Sequence, residues 1–250
     1  MKYEFVPGDE ITTPWGVKLK RIRALVAITA LGVASGDLGG YIESEKNLDH
    51  VSGNAWVSDD AQVYGDAWVY GNARVYGNAQ VYGDAHVYDD AQVYGDAHVY
   101  GNARVSDDAQ VYGNARVYGD AQVYGNAWVS DDARVYGNAR VYDDAWVSDD
   151  AWVYGNAWVS GNARVSGNAW VYGDKLIFWA SKVGRDNGTL TVFNSKDNTL
   201  TVTRGCFIGS IDEFLTKSEI EHDDQTHIEY RMLIEVAHSR ITRAQTKEPS

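Results

Sequence analysis

The chain of 250 residues has one cysteine, Cys206. An intrachain disulfide framework is therefore excluded, and the composition suits a reducing compartment. No apolar run approaches the roughly 20 residues that a transmembrane helix needs, so no membrane association is expected. Residues 51–174 contain neither Lys nor Glu. A continuous basic stripe, on which nonspecific nucleic-acid binding depends, cannot be built there. No glycine-rich phosphate loop and no nucleophile elbow occurs. No catalytic residue, no metal and no cofactor is therefore expected.

What the chain does have is a repeat. Val recurs at every sixth position from Val51 to Val171 without interruption, and from Val57 onward Ala stands two residues before each Val. The unit is V-[YS]-[GD]-[ND]-A-x, as in Val63-Tyr64-Gly65-Asp66-Ala67-Trp68. On a strand, residues two apart share a side, so Ala and Val point inward and the residue between them points outward. The next three residues are turn formers, with Gly, Asn or Asp able to take positive φ. Each hexad is then a short strand and a corner. Three hexads close a triangular coil of about 18 residues, and coils stack by parallel pairing into a rod on the order of 32 Å long.

The corners test that period. Nine depart from Tyr-Gly, beginning at Ser52, Ser58, Tyr88, Ser106, Ser130, Tyr142, Ser148, Ser160 and Ser166. Folded at 18, all nine fall on two edges. The third edge is uniform: Tyr64, Tyr82, Tyr100, Tyr118, Tyr136, Tyr154 and Tyr172, each followed by Gly. Chance gives such a division roughly one time in fifty, which supports three sides, although tandem duplication also produces order of this kind.

This spacing resembles the left-handed parallel β-helix of the hexapeptide-repeat superfamily, which includes trimeric acyltransferases. With the segments 19–25, 36–43 and 204–214, the chain is similar to hexapeptide-repeat proteins of bacteriophages and prophages. The resemblance implies an all-β solenoid, a possible homo-oligomer and residence in the cytoplasm, that of the host cell if phage-encoded. It also raises acyl transfer from an acyl-CoA. Those enzymes place a catalytic His near a coil interface and often insert a loop between hexads. Here no hexad is interrupted, and His86 and His98 fill outward slots that Gln and Arg fill elsewhere.

The flanks read differently. Residues 1–50 are expected to form an N-terminal β cap, with strands at Tyr3–Val6 and Val17–Ala27. Ile42 and Leu48 are six apart, then the register shifts by three to Val51, as in an imperfect first coil. The pattern Lys18–Arg23 followed by apolar residues 24–34 resembles a signal peptide, but it follows Glu4, Asp9 and Glu10, and secretion is not expected. The rod is expected over 51–183, because Ile177 and Val183 keep the Val register while Lys175 breaks the Ala column. Residues 184–250 are expected to form a C-terminal cap. It would hold a hairpin around 194–198, a helix at 211–221 and a helix at 227–243, with capping boxes Ser210/Glu213 and Thr226/Glu229. The tail from Thr246 is expected to fray.

Net charge is −13, from 22 basic and 35 acidic residues. Residues 51–174 hold 17 Asp and 6 Arg, or −11. Asp is a corner former, and a nucleic-acid-mimicking anti-defence protein is the alternative use of such a rod. The candidate binding residues are outward: Trp128, Trp146, Trp152, Trp158 and Trp170, with Arg134, Arg140 and Arg164. Trp128 should stack on Trp146 and Trp152 on Trp170, and each Arg lies one coil from a Trp, at cation–π range. Aromatic and Arg side chains dominate interface hot spots, so a protein or glycan partner is expected. Cys206, taken as buried, with His222 and His227, matches no metal-ligand spacing.

Overall fold

A computed structural model describes residues 1–245. Twenty two-residue strands, from Trp56–Val57 to Trp170–Val171, form a parallel β-solenoid of about seven coils. Each strand is one outward residue and one Val. Partners are 18 residues apart throughout, as in Gln92↔Gln110 and Val93↔Val111. Three ladders result, and their outward columns are those of the 18-residue fold of the sequence. The first runs Trp56, Arg74, Gln92, Gln110, Trp128, Trp146, Arg164. The second runs from Gln62 to Trp170, and the third from Trp68 to Trp158.

The core is Val from 57 to 171 and Ala from 55 to 169, at 0–1 % exposure. Burying one Val stabilises by about 1.5–3 kcal/mol. The corners turn through a left-handed residue. Gly119 sits at φ 71°, and the same position is held by Asp59 at φ 57°. Asp59 Oδ2 accepts the backbone N–H of Gly77 at 3.0 Å, one coil along, and Asp107, Asp143 and Asp149 repeat this toward Gly125, Gly161 and Gly167. These carboxylates therefore satisfy corner amides. Asn side chains add a second tie, as Asn78 Nδ2 donating to Asp96 Oδ1 at 2.9 Å.

The N-terminal end is closed by an antiparallel pair, Tyr3–Thr12 and Lys18–Ala24, joined to a strand Leu38–Ile42. The first strand runs on past Pro7-Gly8 and the second stops at Ala24, three residues before the expected end. Ile42 pairs with Val63 and Leu48 bridges to Val69, each 21 residues apart. The three-residue offset is thus an insertion between this partial coil and the rod. It displaces Val51, which is 82 % exposed and not a core residue, since Leu48 already fills the slot under Val69. A Cβ on Gly40 would lie 2.6 Å from the Ala61 carbonyl oxygen, so only Gly lets this strand close on the rod. Buried Asn47 donates to the carbonyls of Gly65 and Ala67, both at 2.9 Å. Lys2 Nζ reaches the carbonyl of Ser52 at 3.1 Å.

At the other end the parallel ladder stops at Val171 rather than at 183. Ile177–Val183 keeps the Val spacing but pairs antiparallel with Gly188–Asn194. The expected hairpin, Gly188–Asn194 with Leu200–Arg204, is present inside a four-stranded sheet completed by Phe207–Ser210. This sheet seals the last coil: Thr203 Oγ1 donates to Arg164 O at 2.8 Å and Asn194 Nδ2 to Trp170 O at 3.0 Å. Helix α1 is Ile211–Glu221, with the Ser210/Glu213 capping box formed. Helix α2 is Asp224–Gln245 and starts three residues early. Thr226 lies inside it; its N–H donates to Asp223 Oδ1 at 2.7 Å, so Asp223 supplies the cap. Glu229 instead accepts the Gly184 N–H at 2.9 Å. Tyr230, Ile234, Ala237 and Ile241 of α2 are buried in the common core. The tail from Thr246 lies outside the described residues.

Candidate functional site

The outward tryptophans follow from the strand geometry, and the three ladders divide them. Trp128, Trp146 and Arg164 share the first face. Arg134, Trp152 and Trp170 share the second. Arg140 and Trp158 share the third. The eight residues therefore do not form one surface.

The expected stacking of tryptophan on tryptophan does not form. Trp128 and Trp146 meet edge-on, with centroids 5.3 Å apart and planes at 61°. Trp152 and Trp170 do the same at 6.4 Å and 77°. The rings that stack are the corner tyrosines. From Tyr64 to Tyr154 on the uniform edge, centroids are 4.8–5.0 Å apart and planes within 6°. That spacing is the distance between neighbouring strands.

The expected cation–π pairs are present. Arg134 stands 4.8 Å from the Trp152 ring centre, and Arg140 and Arg164 stand 5.3 Å from Trp158 and Trp146. Trp152 has a second cation, Lys196 of the C-terminal sheet, at 5.1 Å. Two cations thus stand against that ring, and Trp170 Nε1 is buried with no hydrogen-bond partner among the described residues. Trp152 and Trp170 are both half-buried. On the first face Trp128 is 38 % exposed, and on the third Trp158 is 46 % exposed. Trp146 Nε1 donates to Ser130 Oγ at 3.4 Å, where the small corner makes room for the indole. Arg164 Nη1 donates to Gly205 O at 3.3 Å. A shallow hollow of about 160 Å³ runs from Trp146 and Arg164 to Cys206, Phe207 and Ile208. Cys206 is exposed, not buried as expected.

His86 and His98 sit in outward slots beside Tyr70 and Tyr82. Burial first, then Arg104 and Arg116 one coil along, hold both imidazoles below their ordinary pKa. A ring that resists protonation here fits packing among aromatic neighbours. Among the described residues no cluster of His, Cys, Asp and Glu could hold a metal ion. No helix among them is long and apolar enough to cross a membrane.

With this geometry the comparison with known families is direct. A family profile described as the YdcK beta solenoid repeat matches residues 61–77, 67–83, 79–95, 109–125, 121–134, 133–149 and 157–173. The chain is a β-solenoid repeat protein. The matches lie wholly within the coils and cover neither cap. No curated protein matches the chain at a significant level.

Sequence reasoning placed the columns but missed Lys196, Phe207 and Ile208. Each meets the rod from the C-terminal sheet, as Lys196 does across 44 residues from Trp152, and no repeat period reaches that far. Ile208 is 49 % exposed at the edge of the hollow, and only its exposure marks it.

Proposed function

We propose that this solenoid is a non-enzymatic binding rod, phage- or prophage-encoded and acting in the host cytoplasm, that engages a protein or glycan through the C-terminal third of its first face. The observation that carries this is the exposed Trp128 ring, set edge-on to Trp146 with Arg164 beyond it. Gln110 and Gln92 hold the same column one and two coils away, so the ladder itself does not need indoles there. Large aromatic surface with a planar cation is what interface hot spots use. Corner carboxylates such as Asp59 and Asp107 have a task in the fold, holding backbone amides one coil along, which accounts for part of the rod's acidity without a nucleic-acid-mimicking role.

Replacing Trp128 and Trp146 together by Gln should leave the melting temperature nearly unchanged. Partner capture, from host lysate and on a glycan array, should weaken by about tenfold or more. Lost stability with intact capture would assign these rings to packing and end this reading.

A further inference from the structure

The corner that follows the third face carries Tyr70, Tyr88, Ser106, Tyr124 and Tyr142 in successive coils. Tyr70 stacks on Tyr88 with centroids 4.9 Å apart and planes at 2°, and Tyr124 stacks on Tyr142 at 5.0 Å and 3°. Ser106 breaks the column with a rung that has no ring. Tyr88 and Tyr124 thus stand two strand spacings apart, about 9.6 Å, which leaves room for one more stacked ring. A hollow of about 290 Å³ lies there, with Tyr88, Ser106, Gln122 and Tyr124 among its walls. Drug-sized sites take about 300–1,000 Å³, so this one suits a single ring.

The corner does not demand the gap. Tyr88 and Tyr142 each precede the same Asp-Asp pair that follows Ser106. Asp89, Asp107 and Asp143 hold the same left-handed turn, at φ 55°, 56° and 58°. Nor is the gap closed from within. At the serine corner Ser130, the indole of Trp146, 16 residues on, reaches the hydroxyl at 3.4 Å. The residue at that offset from Ser106 is Gln122, which has no ring to lend. It has an amide carbonyl instead. On the first face the same offset joins phenols to glutamines: Tyr76 Oη donates to Gln92 Oε1 at 3.2 Å and Tyr94 Oη to Gln110 Oε1 at 3.1 Å. Gln122 therefore stands where a phenol in the empty rung would find its acceptor. The rim holds Arg104 with Asp89 and Asp107, and Asp107 Oδ2 already accepts the Gly125 N–H at 2.9 Å. Two carboxylates beside one guanidinium give an anionic substituent no advantage.

We propose that this slot binds a neutral small molecule carrying a single phenol ring, stacked between Tyr88 and Tyr124, with its hydroxyl donating to Gln122 Oε1. Aromatic contact on both faces adds attraction beyond burial, and the hydrogen bond selects a phenol over a bare ring. The site includes none of the tryptophans of the first face and stands or falls apart from them.

The test is fluorine NMR titration of the full chain with 4-fluorophenol and, in parallel, fluorobenzene. 4-Fluorophenol should bind at one saturable site with a Kd of about 1 mM or tighter. Fluorobenzene should bind about threefold more weakly or worse, as loss of one hydrogen bond requires. Ser106→Tyr supplies the missing ring, so it should fold and lose the binding of both probes. Ser106→Ala leaves the slot open and should bind 4-fluorophenol as the unmodified protein does. Gln122→Leu should bring 4-fluorophenol down to the level of fluorobenzene; if Ser106→Tyr fails to fold, this comparison decides. Four results would overturn the proposal. They are no saturable binding of 4-fluorophenol up to about 10 mM, fluorobenzene binding as tightly as 4-fluorophenol, undiminished binding in folded Ser106→Tyr, or a preference for the phenol that survives in Gln122→Leu.

Discussion

At the scale of the residue, the core has only two letters, and position decides what each does. Val111 is fully buried between Val93 and Val129. Its replacement by Asp removes about 1.5–3 kcal/mol of burial and leaves a carboxylate in a column with no partner. Because each coil touches only its neighbours, the loss should unfold the coils around residue 111 and leave both ends folded. Circular dichroism and a broadened, lowered melt would report it; curves matching the unmodified protein would show that the column tolerates charge. The sequence pattern makes nearly all of this column legible, since inward Val and Ala have no other reason for their spacing. Val51 marks its limit. It has the right residue in the right register, yet it faces solvent, because Leu48 supplies a larger side chain for the same slot and buried Asn47 fixes the chain there. Only Val51 keeps the 18-residue spacing to Val69, so packing volume and the Asn47 hydrogen bonds override the period and seat Leu48 there.

At the scale of the element, the uniform corner becomes a column of six stacked phenols, Tyr64 to Tyr154. Tyr82 is pushed up to about 12, first by burial and then by the phenols of Tyr100 and Tyr64 on either side. Tyr94, on another edge, is also pushed up to about 12, by burial and by Tyr76 and Tyr112. A phenol raised in the folded state stabilises the fold fully below its unfolded value near 10 and loses that contribution as pH rises toward the folded value. The melting temperature should therefore hold up to about pH 10 and fall between pH 10 and about 12. Phenolate absorbance, read alongside, should rise late for the ladder; an ordinary midpoint near 10 with no fall in stability would contradict the burial. The uniform Tyr edge was visible in the sequence, but stacking was expected of the tryptophans. Identical rings repeated at strand spacing stack by translation. The Trp pairs instead turn edge-on, with Trp146 reaching back to Ser130. The C-terminal sheet was only half legible, because Ile177 and Val183 keep the Val spacing while the strand that holds them runs antiparallel to its neighbour.

At the scale of the whole molecule, the outward columns could be read by folding the sequence at 18, whereas what meets them at the C-terminal end could not. Phe207 and Ile208 beside Trp146, and Lys196 beside Trp152, come from segments with no repeat. Their positions depend on how a sheet and a helix close the last coil. The two ends are closed differently, by Leu38–Ile42 in parallel pairing and by side chains such as Thr203 and Asn194 across the top. Between them, every strand hydrogen-bonds along the rod axis to the one 18 residues away. That last feature has a mechanical consequence. Tension applied between the two ends pulls along those bonds, so it opens them in succession instead of shearing a whole sheet at once. A freed coil of 18 residues extends to roughly 60 Å, against a rise of about 4.8 Å in the intact rod. Held in an optical trap, the molecule should lengthen in a series of nearly equal steps at low and similar force, one per coil, after a first event set by whichever end yields. A single jump to full extension would mean that the coils break as one body. A staircase would mean that the rod gives way under load in small instalments, and can rewind from any of them when the load is removed.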